Sequence, residues 1–220
     1  GDSMAVYPPV GMQQDVKDRI VDVTTKLALG LNTKGILNIQ FVVYEGQVNV
    51  IEANPRASRT VPFLSKVTGV SMAEAATRVI LGEKLSDLGL APGLLAEPER
   101  IHVKSPVFSF SKLDLVDSHL GPEMKSTGEV MGSDSTLEKA LYKAFEAAGL
   151  HVPEYGRILF TVADGAKEEA LEIARRFDRI GFQLIGTSGT AQYFRDNGLS
   201  VTTALKIGAT QDLSLIHISE

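Results

Sequence analysis

The sequence contains no cysteine, no long apolar run and no block of basic residues, and each absence excludes a class of protein. Without cysteine there is neither a disulfide framework nor a thiolate metal site. No apolar stretch approaches the roughly 20 residues that a membrane-spanning helix requires. The formal net charge is −5 without a basic cluster, which argues against nucleic acid as a partner. We therefore expect no nucleic-acid and no membrane partner, and a cytoplasmic location is compatible with this composition.

The residues that are present predict a globular protein of one large domain or two small ones. Of the 220 residues, 44% are apolar, which is enough to form a core. The N-terminus lacks the charged-then-apolar pattern of a signal peptide. The opening GDSMAVYPPVGM is a Pro-rich loop, and the last strand pattern is followed by GATQDLSLIHISE. We expect the sequence to be a fragment of a longer protein.

The first half of the sequence shows helical and strand periodicities in turn. They predict a helix, a two-strand hairpin, two further helices and a strand, at residues 12–31, 36–53, 60–68, 71–81 and 101–110. Ser71 with Glu74 three residues later predicts a capping box at the start of the third helix.

The second half follows a different pattern. Apolar periodicity fades between residues 111 and 134, and Ser135 with Glu138 predicts the start of a helix. Strands then alternate with helices from residue 157 onward, which predicts a parallel sheet covered by helices. We expect an α/β fold with three parts, at residues 1–120, 121–156 (a connecting helix and linker) and 157–220.

Three oxygen-bearing side chains lie in the predicted hairpin, within GILNIQFVVYEGQVNVIEANPRASRT at residues 35–60. Their apolar neighbours predict a buried hairpin, in which unpaired polar groups are costly. A hairpin centred on Gly46 places Gln40 directly opposite Glu52, and period two puts Asn54 on the same face. Oxygen ligands that include a carboxylate suit Mg²⁺, which completes its shell with phosphate and water. The spacing therefore predicts a cation site over the hairpin.

A purely structural alternative uses the same residues. Gln40 and Asn54 can cap turn backbone, and Glu52 can pair with Arg56. A two-residue turn would also shift the register by one residue and separate Gln40 from Glu52. Arg56 and Arg59 follow in the turn, where a guanidinium can grip a phosphate or carboxylate through two parallel bonds. Spacing alone leaves both interpretations open.

A second candidate site lies in LIGTSGTAQYF, which places Thr187, Ser188, Gly189 and Thr190 between a strand and a helix. Free N–H groups at a helix N-terminus attract anions, and glycine lets a phosphate approach the backbone. The simpler interpretation is an ordinary helix N-cap. Lys167, in ADGAKEEA, is likewise either a ligand or a solvated residue of a first helical turn.

Two long motifs carry a resemblance to a known family. The stretch LNIQFVVYEGQVNVIEANPRASRTVPFLSKVTG and the later LGPEMKSTGEVMG closely resemble the large subunit of carbamoyl phosphate synthetase. The first part is similar to the C-terminal part of its second ATP-grasp domain. The last part resembles its methylglyoxal-synthase-like regulatory domain, a Rossmann-like parallel α/β domain that is truncated here. The resemblance extends from residue 1 to about residue 206.

The resemblance implies roles for the hairpin residues. In the family, the positions matching Gln40, Glu52 and Asn54 ligate Mg²⁺ or Mn²⁺ bound to ATP, and the glutamate bridges two metals. The positions matching Arg56 and Arg59 lie near the transferred phosphoryl group. The implied reaction phosphorylates carbamate, and positioning and charge neutralisation dominate such transfers. The lysines and glycine-rich lid of the family lie upstream, so this segment alone is expected to be inactive.

The resemblance also implies allosteric control. The positions matching Lys167, Thr187, Thr190 and Lys206 hold the phosphate or ribose of a nucleotide such as UMP. Some members bind the activator ornithine through a glutamate where this chain has Ser105, and a hydroxyl cannot replace that carboxylate. Asp2, the other matching acidic position, is retained.

The pathway and the partners are further implications of the resemblance. Because Ser105 makes ornithine activation doubtful, pyrimidine biosynthesis is favoured, with arginine biosynthesis as a second pathway. The implied partners are the remainder of the large subunit, a glutaminase small subunit and the nucleotide effector. Two alternatives stay open, namely another ATP-grasp ligase and a free nucleotide-sensing module formed by residues 120–206.

Overall fold

The computed structural model describes residues 2–109, 119 and 121–205. They divide into two compact units between Val152 and Pro153. The helices are α1 (Gln14–Gly30), α2 (Thr60–Thr68), α3 (Met72–Ile80), α4 (Leu137–Ala147), α5 (Lys167–Arg179) and α6 (Ser188–Asp196). The strands are β1 (Ala5–Tyr7), β2 (Asn38–Tyr44), β3 (Gln47–Asn54), β4 (Ile101–Val107), β5 (Gly128–Asp134), β6 (Arg157–Phe160), β7 (Gln183–Thr187) and β8 (Val201–Ala204).

The core of the first unit lies between an antiparallel sheet and α4. The sheet has the order β1–β4–β5. Val103 of β4 is fully buried against Ala140 and Ala144 of α4. A Cβ atom on Gly132 of β5 would collide with backbone atoms of Ala140 and Ala144. Glycine at this position therefore allows the helix to pack directly on the strand.

Strands β2 and β3 form the predicted antiparallel hairpin, with a turn of two residues. Glu45 and Gly46 occupy the turn with φ values of 49° and 74°, the left-handed conformation that a tight hairpin of right-handed twist requires. Tyr44 therefore pairs with Gln47.

A β-bulge corrects the register further along the same hairpin. Phe41 pairs with Val50, but its neighbour Gln40 pairs with Glu52. Ile51 is thus the extra residue on β3, and such an insertion shifts the pairing by one position. The predicted juxtaposition of Gln40 and Glu52 is confirmed, although it depends on a bulge instead of a longer turn.

The expectation that the hairpin is buried is wrong for this chain. Val42, Tyr44 and Ile51 are 49%, 68% and 62% exposed. Among the described residues, no other strand pairs with β2 or β3. Helix α1 packs beside β3, but most of the apolar surface of the hairpin still faces solvent. The polar side chains of the hairpin consequently need no buried partner.

The second unit contains the parallel sheet that the alternating pattern predicts. Strands β6, β7 and β8 are parallel and lie in that order. Helices α5 and α6 share one core, in which Ala174 and Phe194 are fully buried against Leu184 of β7. The carboxyl ends of the strands therefore meet at one edge. With the antiparallel parts of the first unit, this makes the chain an α/β protein.

Three local features differ from the sequence expectations. Strand β5 was not predicted, because its glycines and acidic residues interrupt the apolar alternation. Helix α4 has Thr136 as its N-cap, with the hydroxyl accepting from Lys139 N at 3.4 Å, instead of Ser135. Ser71 precedes α3 but makes no side-chain cap, so the predicted capping box is wrong. Within the described residues, no helix has the length and apolar character needed to cross a membrane.

The close packing at Gly132 gives a stability prediction. Gly132→Ala should destabilise the first unit by about 3 kcal/mol, because the new methyl group meets helix backbone that cannot move aside. Gly128→Ala, in the same strand, is the control, because nothing lies within 4 Å of its Cβ position. Urea unfolding compares the two. Equal stability of both variants would contradict the packing at Gly132.

Candidate functional site

Four polar side chains share one face of the hairpin, which we term the polar face. Gln40 lies opposite Glu52, and Asn38 lies opposite Asn54. Because alternate residues of a strand point to the same side, all four side chains project from the same face of the β2–β3 ribbon. The three residues that the sequence predicts for a cation site are therefore brought together.

The contacts on the polar face leave its oxygen atoms accessible. Asn54 Nδ2 donates to Glu52 Oε1 at 2.9 Å, and both Gln40 and Glu52 are exposed. The alternative pairing of Glu52 with Arg56 is not present in the described part of the chain. Instead, Arg56 donates from Nη1 to Ala57 O at 3.0 Å, and its backbone N–H donates to Asn54 O at 2.8 Å.

The donor set on the polar face fits a hard divalent cation. It offers one carboxylate and three amide oxygens, the type of ligand that Mg²⁺ and Ca²⁺ accept. In the described ranges, no group of three His, Cys, Asp or Glu residues could hold a metal. A site with a single carboxylate is weak by itself, so a cation here would need phosphate oxygens to complete its shell.

Arg59 contacts the loop that carries the second motif, LGPEMKSTGEVMG. Arg59 Nη1 donates to Ser126 Oγ at 2.8 Å, and Nη2 donates to Ser126 O at 3.4 Å. The same guanidinium lies 3.9 Å from Met124 Sδ. Residues 59 and 126, far apart in the sequence, are therefore held together at the start of α2.

Asp2 stabilises the same loop from the other end of the chain. Its Oδ2 accepts from the backbone N–H groups of Lys125 and Ser126 at 2.7 and 3.1 Å. The Ser126 hydroxyl, these N–H groups and Arg59 together lower the pKa of Asp2, against the opposing effect of burial. Ser105 is 2% exposed, which supports the expectation that it does not bind an amine effector.

Sequence reasoning missed two residues of this region. Asn38 precedes Gln40 by two positions, so the same period-two argument could have placed it on the polar face. Ser126 carried no comparable signal. Its contact with Arg59 spans 67 residues, and no local pattern encodes such a contact.

The second candidate site lies at the carboxyl ends of β6 and β7. Lys167 is only 16% exposed and forms an ion pair with Asp164 at 2.7 Å. Its Nζ lies 5.8 Å from the ring centroid of Tyr193. It also lies 3.5 Å from the position that a Cβ on Gly189 would occupy. Lys167 is therefore not a solvated surface lysine but lies directly over the first turn of α6.

The threonines of this site lie at the same helix end. Thr187 is the N-cap of α6, but its side chain makes no cap hydrogen bond. Its hydroxyl donates instead to Thr190 Oγ1 at 3.4 Å. Thr190 is 1% exposed and accepts from Val162 N at 3.3 Å. These contacts are longer than ordinary hydrogen bonds, and the first N–H groups of α6 have no side-chain cap. Lys206 lies outside the described residues.

Comparison with family models assigns both units. Residues 1–88 match the model described as carbamoyl-phosphate synthase L chain, ATP binding domain. Residues 169–216 match the MGS-like domain. The chain belongs to the carbamoyl-phosphate synthase large-chain family. The polar face lies within the span of the ATP-binding domain, and α6 lies within that of the MGS-like domain.

Solved structures show more distant likenesses. The biotin carboxylase domain of a single-chain bacterial carboxylase is 24% identical with a TM-score of 0.45, over 49% of this chain and 26% of that one. N5-carboxyaminoimidazole ribonucleotide synthetase from Thermus thermophilus is 16% identical with a TM-score of 0.48, over 68% of this chain and 43% of that one. The chain thus spans about a quarter and less than half of these structures, and likenesses this low say nothing about substrate.

Proposed function

We propose that the chain is the C-terminal part of the large subunit of a glutamine-dependent carbamoyl phosphate synthetase. Its first unit would take part in the ATP-dependent phosphorylation of carbamate to carbamoyl phosphate. The observation that carries this proposal is the polar face, where Gln40 lies opposite Glu52 within the span that matches the family's ATP-binding domain.

The polar face would hold Mg²⁺ or Mn²⁺ together with the phosphates of ATP. Glu52 would supply the anionic oxygen, and Gln40 and Asn54 would supply amide oxygens. A cation at this position neutralises charge on the phosphate oxygens, which is its main contribution to such transfers. The exposure of Gln40 and Glu52 supports this role, because a nucleotide could reach them without displacing protein.

Arg56 and Arg59 would act on the transferred phosphoryl group. A guanidinium can donate two parallel hydrogen bonds to a phosphate. The bonds from Arg59 to Ser126 restrict its rotamers, so that less side-chain freedom remains to be lost when a phosphate binds. Asp2 would contribute indirectly, by holding the loop that positions Ser126.

The second unit would bind a regulatory nucleotide such as UMP. Lys167 would neutralise phosphate charge, and the uncapped N–H groups at the start of α6 would donate to its oxygens. Thr187 and Thr190 have hydroxyls whose present hydrogen bonds are long, so a phosphate acceptor could improve their geometry. Lys206 is proposed as the fourth residue from the resemblance alone.

The partners follow from the same proposal. Carbamate would be formed elsewhere in the large subunit from ammonia that a glutaminase small subunit releases. The product would serve pyrimidine biosynthesis, and arginine biosynthesis as well if the enzyme is shared between the pathways. These reactions would take place in the cytoplasm.

The function can be tested by the reverse half-reaction in the complete large subunit that contains this sequence. ATP formation from carbamoyl phosphate and Mg·ADP should fall at least about 100-fold in Glu52→Gln, because a charged oxygen ligand is lost. Glu45→Gln, which removes the same charge from the turn of the hairpin, should retain activity. Comparable rates in wild type and Glu52→Gln would refute the site.

The regulatory site can be tested by calorimetric titration of UMP into the 220-residue chain. Lys167→Met should weaken binding about tenfold, because one charge-assisted contact to phosphate disappears. Arg176→Met removes a cation from an exposed position on the same helix, α5, and should leave the affinity unchanged. An equal loss in both variants would show a general charge effect and contradict the specific role of Lys167.

A further inference from the structure

We propose that the first unit carries another small-molecule site, a cavity between α1, the segment around β1 and residues 94–97, which binds a neutral, mainly apolar molecule with one oxygen acceptor. The cavity has a volume of about 290 Å³. It shares no residue with the polar face, the Arg59 loop or the nucleotide site, so it is independent of the proposed function.

The walls of the cavity are mostly aliphatic. They are formed largely by Val6, Pro9, Met12, Ile20 and Leu94. An aliphatic cavity of roughly 150 Å³ stays dry and binds benzene, and ligand pockets usually begin near about 300 Å³. A cavity of this size and lining therefore suits a bicyclic aromatic compound or a branched hydrocarbon of similar bulk.

Lys17 supplies hydrogen-bond donors to this apolar space. Its side chain is 15% exposed, and its Nζ lies 2.7 Å from Glu97 Oε1. An ammonium group has three donors, and Glu97 is the acceptor that the described residues offer to Lys17. The remaining N–H donors of a largely buried ammonium are costly to leave unmade. An oxygen acceptor on a bound molecule would satisfy one of them.

The charges around the cavity favour a neutral ligand. Lys17 and Glu97 cancel each other, so an anionic ligand would be repelled by Glu97 and a cationic one by Lys17. Tyr7 adds a phenol at the cavity wall. Burial and the nearby Glu97 raise the pKa of Tyr7, which keeps the hydroxyl protonated and able to donate. The ligand class is thus a neutral carbonyl or ether compound with an apolar body.

A fluorescence titration with 7-methoxycoumarin, a neutral bicyclic lactone, tests the site in the 220-residue chain. The chain contains no tryptophan, so the probe signal is free of tryptophan emission. We expect saturable binding that Lys17→Met weakens about tenfold, because the donor to the lactone oxygen is lost. Lys26→Met is the matched control, because Lys26 lies on the same helix and is 73% exposed.

A second variant tests the cavity without altering its charges. Ile20→Phe should fill the space and abolish probe binding, while circular dichroism confirms that the chain remains folded. The proposal is overturned if the wild type shows no saturable binding, or if Lys17→Met or Ile20→Phe binds like the wild type. It is also overturned if Lys26→Met loses affinity to the same extent. A rise in mass to that of a dimer that excludes the probe would show that a second copy fills the cavity, and would equally contradict it.

Discussion

The bulge at Ile51 is the constraint on which the proposed catalytic site depends. The two-residue turn at Glu45 and Gly46 sets a register in which Gln40 would face Ile51 and Glu52 would point to the opposite side of the ribbon. One extra residue on β3 reverses this and brings Glu52 opposite Gln40. A single unpaired residue therefore decides whether the oxygen atoms converge on one face or are divided between two.

Both units use glycine to bring a helix close to a strand that serves a site. Gly132 of β5 admits α4, and Gly186 of β7 admits the start of α6, where a Cβ would lie 2.9 Å from Ala191 N. In the second unit this contact fixes the helix end over which Lys167 lies. In the first unit it anchors β5, whose N-terminal end follows the loop that holds Arg59. Backbone packing thus fixes the positions of the groups that would contact phosphates.

The sequence predicted those features that rest on local periodicity. The hairpin, α1 and the parallel sheet of the second unit follow from repeats of 2 and 3.6 residues and were correct. Strand β5 escaped because its order comes from pairing with β4 and packing against α4, not from its own apolar pattern. The exposure of the hairpin was also missed, since burial depends on what covers a ribbon and the apolar residues of β2 and β3 do not encode that.

The candidate sites show the same division. Gln40, Glu52 and Asn54 were placed together correctly, but from an assumed longer turn, so the agreement depended on a bulge that the residues do not announce. The contact between Arg59 and Ser126 spans 67 positions and could not follow from spacing. Lys167 was open to two interpretations, and only its burial over Gly189 separates them.

The most direct test of the account is whether the polar face binds a divalent cation with a nucleotide. Paramagnetic broadening by Mn²⁺ in the presence of ADP detects even weak binding in amide NMR spectra of the chain. The account predicts selective broadening at Asn38, Gln40 and Asn54, lost in Glu52→Gln and kept in Glu45→Gln. Broadening that is absent there, or that persists in Glu52→Gln, would contradict it.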